Sequence, residues 1–288
     1  MPKKLSVVET TMADLVERAK MGDKHALETI IRRIQDTVYG LAIRMLFVPA
    51  DAEDATQEIL VKVITNLGTF KGESRFGTWV YRIASNHLLT TQKCRAERWK
   101  LTFETCGQMI EKANRDAEIH PFVEAEQKVI VEETKLSCIH FMLLCLKREL
   151  RLAVILGVVF DVKGAEGARI MGITPAAYRQ RLSRGRQRVM DFLVKRCSLV
   201  NVNNSCHCET MAAIHVKKGN IDPENLLFVT HPCRPRRDGN AEDLLQEMDQ
   251  LTRAAMLIRS HPDYAAPGVF VESMKKLIDS GRFQLLGR

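Results

Sequence analysis

The sequence predicts an all-α protein, with two small helical domains joined by a linker and followed by a C-terminal extension of loops and helices. Three observations predict this class. Apolar residues recur at the 3.6-residue spacing of a buried helix face through most of residues 11–195. No segment alternates apolar and polar residues over the length of a strand. Only 9 residues are proline and 6% are aromatic, which suits long helices.

The composition narrows the class of protein. The chain has 288 residues, of which 45% are hydrophobic and 27% charged, and this excludes wholesale disorder. No apolar run approaches the roughly 18 residues that span a bilayer, so we predict no membrane insertion. No apolar core follows Lys3 and Lys4, so we expect no secretory signal and a reducing, cytoplasmic location.

The net charge of +8 is distributed unevenly. Residues 68–100 hold seven bases against two acids, and residues 175–196 hold seven bases against one acid. Between them, residues 104–134 hold eight acids against three bases. Two basic blocks separated by an acidic connector indicate two contacts with a polyanion. The alternative is a pair of solvated basic faces.

In the first domain, Met12–Ala19 has helical spacing, and a long apolar stripe follows from Leu27 to Met45. Pro49 ends that helix, and we expect Asp51 to cap the next one. A polar loop, FKGESRFG, begins at Phe70 and leads into a helix predicted over Thr78–Arg95.

Further along the chain, helical patterning returns over Lys135–Leu193 after a connector that Gly107 and Pro121 interrupt. Two more helices are predicted near the end, over Ala241–Arg259 and Pro267–Ser280.

Residues 165–189 have the pattern of a helix-turn-helix. Ala168 supplies the small residue where the helices approach, and Gly172 tolerates the left-handed turn. Thr174 and Pro175 suit the start of the second helix, and Tyr178 turns inward. The exposed side would present Ala176, Arg179, Gln180, Ser183 and Arg184 to base edges, and Arg181, Arg186 and Arg188 to phosphates. The alternative is an ordinary helical hairpin with a charged face.

The helix after the FKGESRFG loop has a second nucleic-acid pattern. Its polar face would carry Trp79, Arg82 and Asn86, behind a loop that contains Phe70 and ends near Phe76. Aromatic rings stack on unpaired bases and an amide binds a base edge, so this face suits single-stranded nucleic acid. The alternative is that Trp79 is an ordinary core residue.

The extension is set apart by its cysteines. Cys197, Cys206 and Cys208, with Cys233 or a histidine such as His215 or His231 as a fourth, are candidate ligands for zinc or another soft metal. A redox dithiol and the absence of any direct chemistry are the alternatives. We predict that no cofactor is required, and Cys94, Cys106, Cys138 and Cys145 are interpreted as small core or surface residues.

Three segments together resemble the extracytoplasmic-function (ECF) sigma factors of bacterial RNA polymerase. They are DAEDATQEILVKV (51–63), FKGESRFGTWVYRIASNHL (70–88) and the helix-turn-helix of 165–189. The resemblance implies region 2 at 11–96, a linker at 97–134, region 4 at 135–195 and an additional extension at 196–288. It also implies a cytoplasmic bacterial initiation factor that binds core polymerase and promoter DNA and is not an enzyme. An anti-sigma factor is a further candidate partner, and a stand-alone helix-turn-helix regulator is the alternative function.

The resemblance also assigns roles to residues. Asp54, Gln57 and Glu58 would contact core polymerase, while the loop from Phe70 to Ser74 would receive a flipped base of the minus-ten element. Together with the patterns above, the candidate DNA-binding residues are Phe70, Lys71, Gly72, Ser74, Phe76, Trp79, Arg82 and Asn86 in region 2. In region 4, which would read the minus-thirty-five element, they are Thr174, Arg179, Gln180, Arg181, Ser183, Arg184 and Arg186. Gly167 and Gly185 depart from the family pattern, and we expect them to loosen region 4.

Overall fold

A computed structural model of the chain describes residues 11–91, 95–115, 124–231, 233–234, 250–259 and 261–279. The helices up to the second domain are α1 (Met12–Lys20), α2 (Lys24–Leu46), α3 (Pro49–Thr65), α4 (Phe76–Thr90), α5 (Phe103–Arg115) and α6 (Glu124–Leu144). Then come α7 (Arg148–Val154) with a π-helical turn over Ile155–Val159, α8 (Gly164–Met171) and α9 (Pro175–Arg196). The extension adds α10 (Cys208–Lys217), β1 (Cys233–Arg234), α11 (Gln250–Arg259), β2 (Asp263–Tyr264) and α12 (Val269–Asp279).

These elements confirm the all-α class. β1 and β2 form one antiparallel pair of two residues each, which the sequence did not indicate. The predicted helix over Ala241–Arg259 is described only from Gln250 onward, and its earlier part lies outside the described residues. Within the described part of the chain, no helix is long and apolar enough to cross a membrane.

The centre of the first domain is α2, which packs against α1, α3 and α4. Its predicted apolar stripe is buried, from Leu27 and Ile30 through to Met45. The prediction that Asp51 caps α3 is wrong, because α3 begins two residues earlier, at Pro49, with Val48 at the cap position. Asp51 instead accepts a hydrogen bond from the Arg95 backbone N–H at 2.9 Å and pairs with its guanidinium at 3.1 Å.

The predicted helix-turn-helix is formed by α8 and α9. Gly172 has φ 63° and ends α8 in the left-handed conformation that the turn requires. Thr174 caps α9, where its hydroxyl accepts from the Ala177 N–H at 3.2 Å. Ala168 and Tyr178 are buried, as their positions in the motif predicted.

The two glycines that were expected to loosen region 4 are sites of close packing. A Cβ atom on Gly167 would lie 2.2 Å from Cζ of Tyr178, and one on Gly185 would lie 2.6 Å from Cγ2 of Val154. Both distances are shorter than any real contact, so each glycine lets a neighbouring side chain approach its helix. The expectation is therefore corrected: these residues permit a tighter contact between helices.

The acidic connector is partly helical, because α5 lies within it and α6 crosses the predicted boundary at residues 134–135. Its charge is not all exposed. Glu133, 2% exposed, accepts hydrogen bonds from the backbone N–H groups of Leu227, Phe228 and Val229 at 2.8–3.0 Å. A buried carboxylate is tolerated where such donors surround it. Glu133 thereby fastens the extension to α6.

One continuous apolar core runs through both predicted domains and into the extension. Polar contacts follow the same path: Glu97 pairs with Arg148 at 2.6 Å and with Arg151 at 3.2 Å. Burial alone would raise the pKa of Glu97, but the hydrogen bonds and charges of these two arginines lower it below its ordinary value. Arg151 also donates to the Met45 carbonyl oxygen of α2. The two domains are thus packed together.

The extension lies against the first domain. α12 packs on α2, and Asp36 of α2 accepts from the Ala266 N–H at 3.0 Å. The guanidinium of Arg44 donates to the Pro262 carbonyl oxygen and lies over the Tyr264 ring at 5.2 Å. These contacts hold the extension against α2, and apolar residues of both belong to the same core.

Candidate nucleic-acid and polymerase interface

The predicted polymerase-binding residues lie on the outer face of α3. Asp54, Gln57 and Glu58 are exposed, whereas Ala55 and Ile59 of the same helix are buried in the core. This division follows from the 3.6-residue period, which turns positions 54, 57 and 58 away from α2. Two carboxylates and an amide form an acidic surface there, available to a basic partner.

The FKGESRFG loop is anchored by an aromatic cluster. The ring of Phe70 lies 5.3 Å from that of Phe76 and 5.4 Å from that of Trp79, and Lys20 donates to the Phe70 carbonyl oxygen at 2.8 Å. Lys71 and Gly72 at the loop tip are exposed, Ser74 is half-buried, and Gly72 has φ 74°. Phe76 is 7% exposed. The structure therefore places Phe76 in the packing beneath the loop, not on its binding surface.

Beside this loop, an open groove of about 350 Å³ separates the end of α3 from α4. Trp79 and Asn86 line it, as the polar-face pattern predicted, and Trp79 is half-buried with one side against the core. The remaining lining residues are Lys62, Asn66, Thr69, Ile83, His87 and Thr90. Arg82 is exposed one turn before Asn86 but does not line the groove. Stacking, amide and ammonium groups thus meet in one place.

A polar chain joins the groove to the acidic face of α3. The Lys62 ammonium lies 2.7 Å from Nδ1 of His87, and because an ammonium only donates, Nδ1 must accept. The ring proton is then on Nε2, which lies 3.7 Å from Oε2 of Glu58. Burial and the Lys62 charge lower the pKa of His87, against the opposing effect of Glu58, so His87 is neutral at pH 7.

Most of the predicted DNA-binding residues of region 4 are exposed on or next to α9. Thr174, Arg179, Gln180, Ser183, Arg184 and Arg186 are exposed, and Arg181 is half-buried. Their guanidinium and amide groups are the types that bind guanine and adenine edges in the major groove. The structure gives Thr174 a local task as well, because its hydroxyl caps the helix.

The helix-turn-helix contacts the loop and helix of the other candidate DNA-binding element, and no local sequence pattern indicates this contact. α8 packs against α4, and Glu166 forms an ion pair with Arg75 of the FKGESRFG loop. The other oxygen of Glu166 accepts from the Thr78 hydroxyl at 2.6 Å. These contacts are 88–91 residues apart in sequence, so no local signal indicates them.

Patterns in the sequence did not indicate that Lys62, Asn66 and His87 line the groove. Lys62 and Asn66 are four residues apart, so a helix places them on one face of α3. That spacing indicates one shared face of α3, but it indicates a groove only when α4 is known to lie beside that face.

The extension's cysteines lie together at the end of α9. Cys197 and Cys206 are backbone partners in an isolated parallel bridge, and Cys208 begins α10. Burial raises the pKa of Cys206 and Cys208 to about 12, and neighbouring thiols add to the shift. The side chain of Cys233 lies outside the described residues. No three described cysteine, histidine or acidic side chains are placed to hold a metal ion, so the zinc site stays a prediction.

Comparison with known proteins agrees with this geometry. Residues 30–99 match the family model of sigma-70 region 2, and residues 136–189 match that of sigma-70 region 4. Neither match includes the extension at 196–288.

Among curated proteins, the chain is 31% identical over 185 residues to the ECF RNA polymerase sigma-E factor of Escherichia coli, covering 61% of this chain and 90% of that one. It is 27% identical over 175 residues to the RNA polymerase sigma-H factor of Pseudomonas aeruginosa, covering 61% and 90% of the two chains. The solved structure of CnrH in complex with the cytosolic domain of CnrY matches with a TM-score of 0.44 at 19% identity, over 62% of this chain and 94% of that one. The two family segments in order, and the identity to a relative covered over nearly its whole length, show that this chain belongs to the ECF RNA polymerase sigma factors of the sigma-70 family.

Proposed function

We propose that this protein is a dissociable subunit of bacterial RNA polymerase that directs initiation at specific promoters. Region 2 binds core polymerase through Asp54, Gln57 and Glu58 and captures melted minus-ten DNA at the groove between α3 and α4. Region 4 reads the minus-thirty-five element as a duplex through α9. The protein acts in the cytoplasm by binding and not by catalysis, since the members of its family are regulatory subunits.

The groove is the observation that carries this proposal. An exposed base needs a stacking surface, a hydrogen-bonding edge and a cation near its phosphate. Trp79, Asn86 and Lys62 supply these three groups in one open space of about 350 Å³. A protein that binds only duplex DNA has no use for such a groove, which favours a strand-melting factor over a stand-alone repressor.

The test is transcription in vitro from fragmented genomic DNA with bacterial core polymerase and the full chain. We expect transcript starts that share two upstream sequence elements, each at its own fixed distance from the start. Asn86→Ala should lower their yield about tenfold, since leaving the hydrogen-bonding edge of a captured base unsatisfied costs about 1–3 kcal/mol. Asn203→Ala, an exposed amide in the extension, is the matched control and should leave the yield unchanged.

A second arm separates the two alternatives. If the chain binds core polymerase and initiates, but Asn86→Ala leaves the transcript yield unchanged, then the strand-capturing site is not this groove. The absence of both specific starts and core binding would contradict the sigma function and favour a stand-alone DNA-binding regulator.

We propose further that the extension regulates initiation by holding regions 2 and 4 in their packed arrangement. Support comes from the contacts of α12 with α2 in region 2 and of α11 with α9 in region 4, and from those of Glu133 with residues 227–229. Phe270 of α12 is fully buried, with its ring 6.1 Å from that of Tyr39, so Phe270→Ala should undock α12 and raise the affinity for core polymerase. Glu272→Ala, exposed on the same helix, is the control. Undocking seen by hydrogen exchange with no change in polymerase affinity would contradict this regulatory function.

A further inference from the structure

We propose that Cys106 and Cys145 form a redox-sensitive thiol pair that oxidises to an intramolecular disulfide joining α5 to the end of α6. Their Sγ atoms lie 3.5 Å apart, although the residues are 39 positions apart in the sequence. Neither residue belongs to the DNA or polymerase surfaces, and from sequence alone both were interpreted as small core or surface residues. The inference concerns thiol chemistry and does not depend on the proposed promoter function.

The positions of the two residues allow the bond to close. A disulfide has an S–S length of about 2.05 Å, so the sulfurs must approach by about 1.5 Å. Cys106 is in the first turn of α5, and Cys145 directly follows the last residue of α6. Helix ends adjust more easily than helix centres, because part of their backbone hydrogen bonding is not fixed within the helix. Both side chains are also half-buried, which leaves access for a small oxidant.

The pair is chemically asymmetric. The hydrogen bond from the Cys145 thiol lowers the pKa of Cys106, in spite of the opposing effect of burial. The same hydrogen bond, together with burial, raises the pKa of Cys145. Cys106 therefore ionises more readily than Cys145, so we assign the attack on the oxidant to Cys106 and the resolving step to Cys145.

With a hydroperoxide as oxidant, the reaction balances in two steps. The Cys106 thiolate attacks one oxygen of hydrogen peroxide, the O–O bond breaks, and the leaving hydroxide takes a proton to become water. The sulfur of Cys145 then attacks the Cys106 sulfenic acid, the S–S bond forms, and the S–O bond breaks. The leaving hydroxyl takes the Cys145 proton as a second water. Two thiols lose two electrons, which the peroxide accepts.

The disulfide would reinforce an existing contact. α5 already touches the end of α9, where Glu111 pairs with Arg196, and touches the extension, where Asn114 donates to the Ser205 carbonyl oxygen at 2.9 Å. A covalent bond from Cys106 to Cys145 adds α6 to these attachments. Oxidation would therefore fasten the linker helix to the rest of the chain, and reduction would release it.

The experiment treats the reduced full-length protein with a small excess of hydrogen peroxide, followed by alkylation and peptide mapping by mass spectrometry. We expect loss of two free thiols, a mass decrease of about 2 Da, a Cys106–Cys145 cross-linked peptide, and full reversal by dithiothreitol. Cys145→Ser should abolish the cross-link and leave Cys106 as a sulfenic acid that dimedone labels. Cys138→Ser, inside α6 and also half-buried, is the matched control and should form the cross-link at the normal rate.

Three results would overturn the proposal. They are a cross-link between other cysteines, a disulfide only between two chains, and oxidation of Cys106 to sulfonic acid in the wild-type protein without any disulfide. The wild-type peptide map decides the matter even if a serine variant fails to fold. Because no step uses DNA or polymerase, failure here is separate from failure of the sigma function.

Discussion

Glu166, in the first helix of the helix-turn-helix, forms an ion pair with Arg75, in the loop that precedes α4. Its second oxygen accepts a hydrogen bond from Thr78 at 2.6 Å, so one carboxylate joins the helix-turn-helix to α4 and the loop before it. The minus-ten and minus-thirty-five elements are about 25 base pairs apart, which is about 85 Å of B-DNA. Because the two elements are packed together here, the proposed function predicts that this arrangement opens when the protein occupies a promoter.

Glu166→Gln should favour that opening. The neutral amide loses the ion pair with Arg75, worth about 1 kcal/mol or less because Arg75 is largely exposed, and weakens the bond from Thr78. We expect faster amide hydrogen exchange in α4 and α8 and a larger radius of gyration in solution scattering. Glu149→Gln, exposed on α7, should change neither quantity. Equal exchange in wild type and Glu166→Gln would show that the shared core, and not this carboxylate, keeps the domains together.

Gly167→Ala should destabilise the protein by about 1–3 kcal/mol. The new methyl group would overlap the Tyr178 ring, whose Cζ lies 2.2 Å from its position, and Tyr178 is fully buried. Gly164→Ala is the matched control, because nothing lies within 4 Å of its added Cβ. That variant should be neutral or slightly stabilising, as alanine favours a helix over glycine. Urea unfolding curves give both values, and equal midpoints would contradict the observed packing.

The buried histidines predict a loss of stability in acid. Burial, and to a lesser degree the charges of His261 and Arg44, lowers the pKa of His140 well below its ordinary value. Since the unfolded chain binds the proton more tightly, stability is complete above about pH 6.5 and falls as the pH drops below it. The groups that face His140 are His261 and Tyr264 of the extension and Phe228 and Phe47.

Thermal unfolding between pH 8 and pH 5 measures this effect. The midpoint should decrease most steeply below pH 6.5, and His140→Gln should reduce the slope. His25→Gln, exposed on α2, should keep the wild-type slope. A midpoint that does not change with pH would contradict the burial of neutral histidine between α6 and the extension.

The zinc prediction has its own measurement. If Cys197, Cys206, Cys208 and Cys233 bind a soft metal, protein purified from zinc-supplemented cells should contain about one metal ion per chain. Replacing Cys197, Cys206 and Cys208 by serine should remove it, whereas replacing Cys106 and Cys145 should not. A metal-free wild-type protein whose thiols all react with a thiol reagent would show that the extension has no such site.

The sequence by itself determined the helices and their local chemistry. The 3.6-residue stripe of α2, the left-handed Gly172 and the Thr174 cap all depend on residues within a few positions of one another. The prediction for Asp51 failed at this same local level, because Pro49 suits the first position of a helix and α3 begins there. The Asp51 carboxylate instead binds Arg95, 44 residues away, which no local pattern indicates.

Only the tertiary structure decided which segments meet. The groove requires α3 beside α4, the Glu166–Arg75 contact requires α8 on α4, and the Cys106–Cys145 pair requires the start of α5 at the end of α6. The same holds for Gly167, which is a weak helix residue by local propensity but gives Tyr178 its place in the fold. Helix propensity and periodicity act along the chain, whereas these contacts depend on how the apolar faces of distant helices fill one shared core.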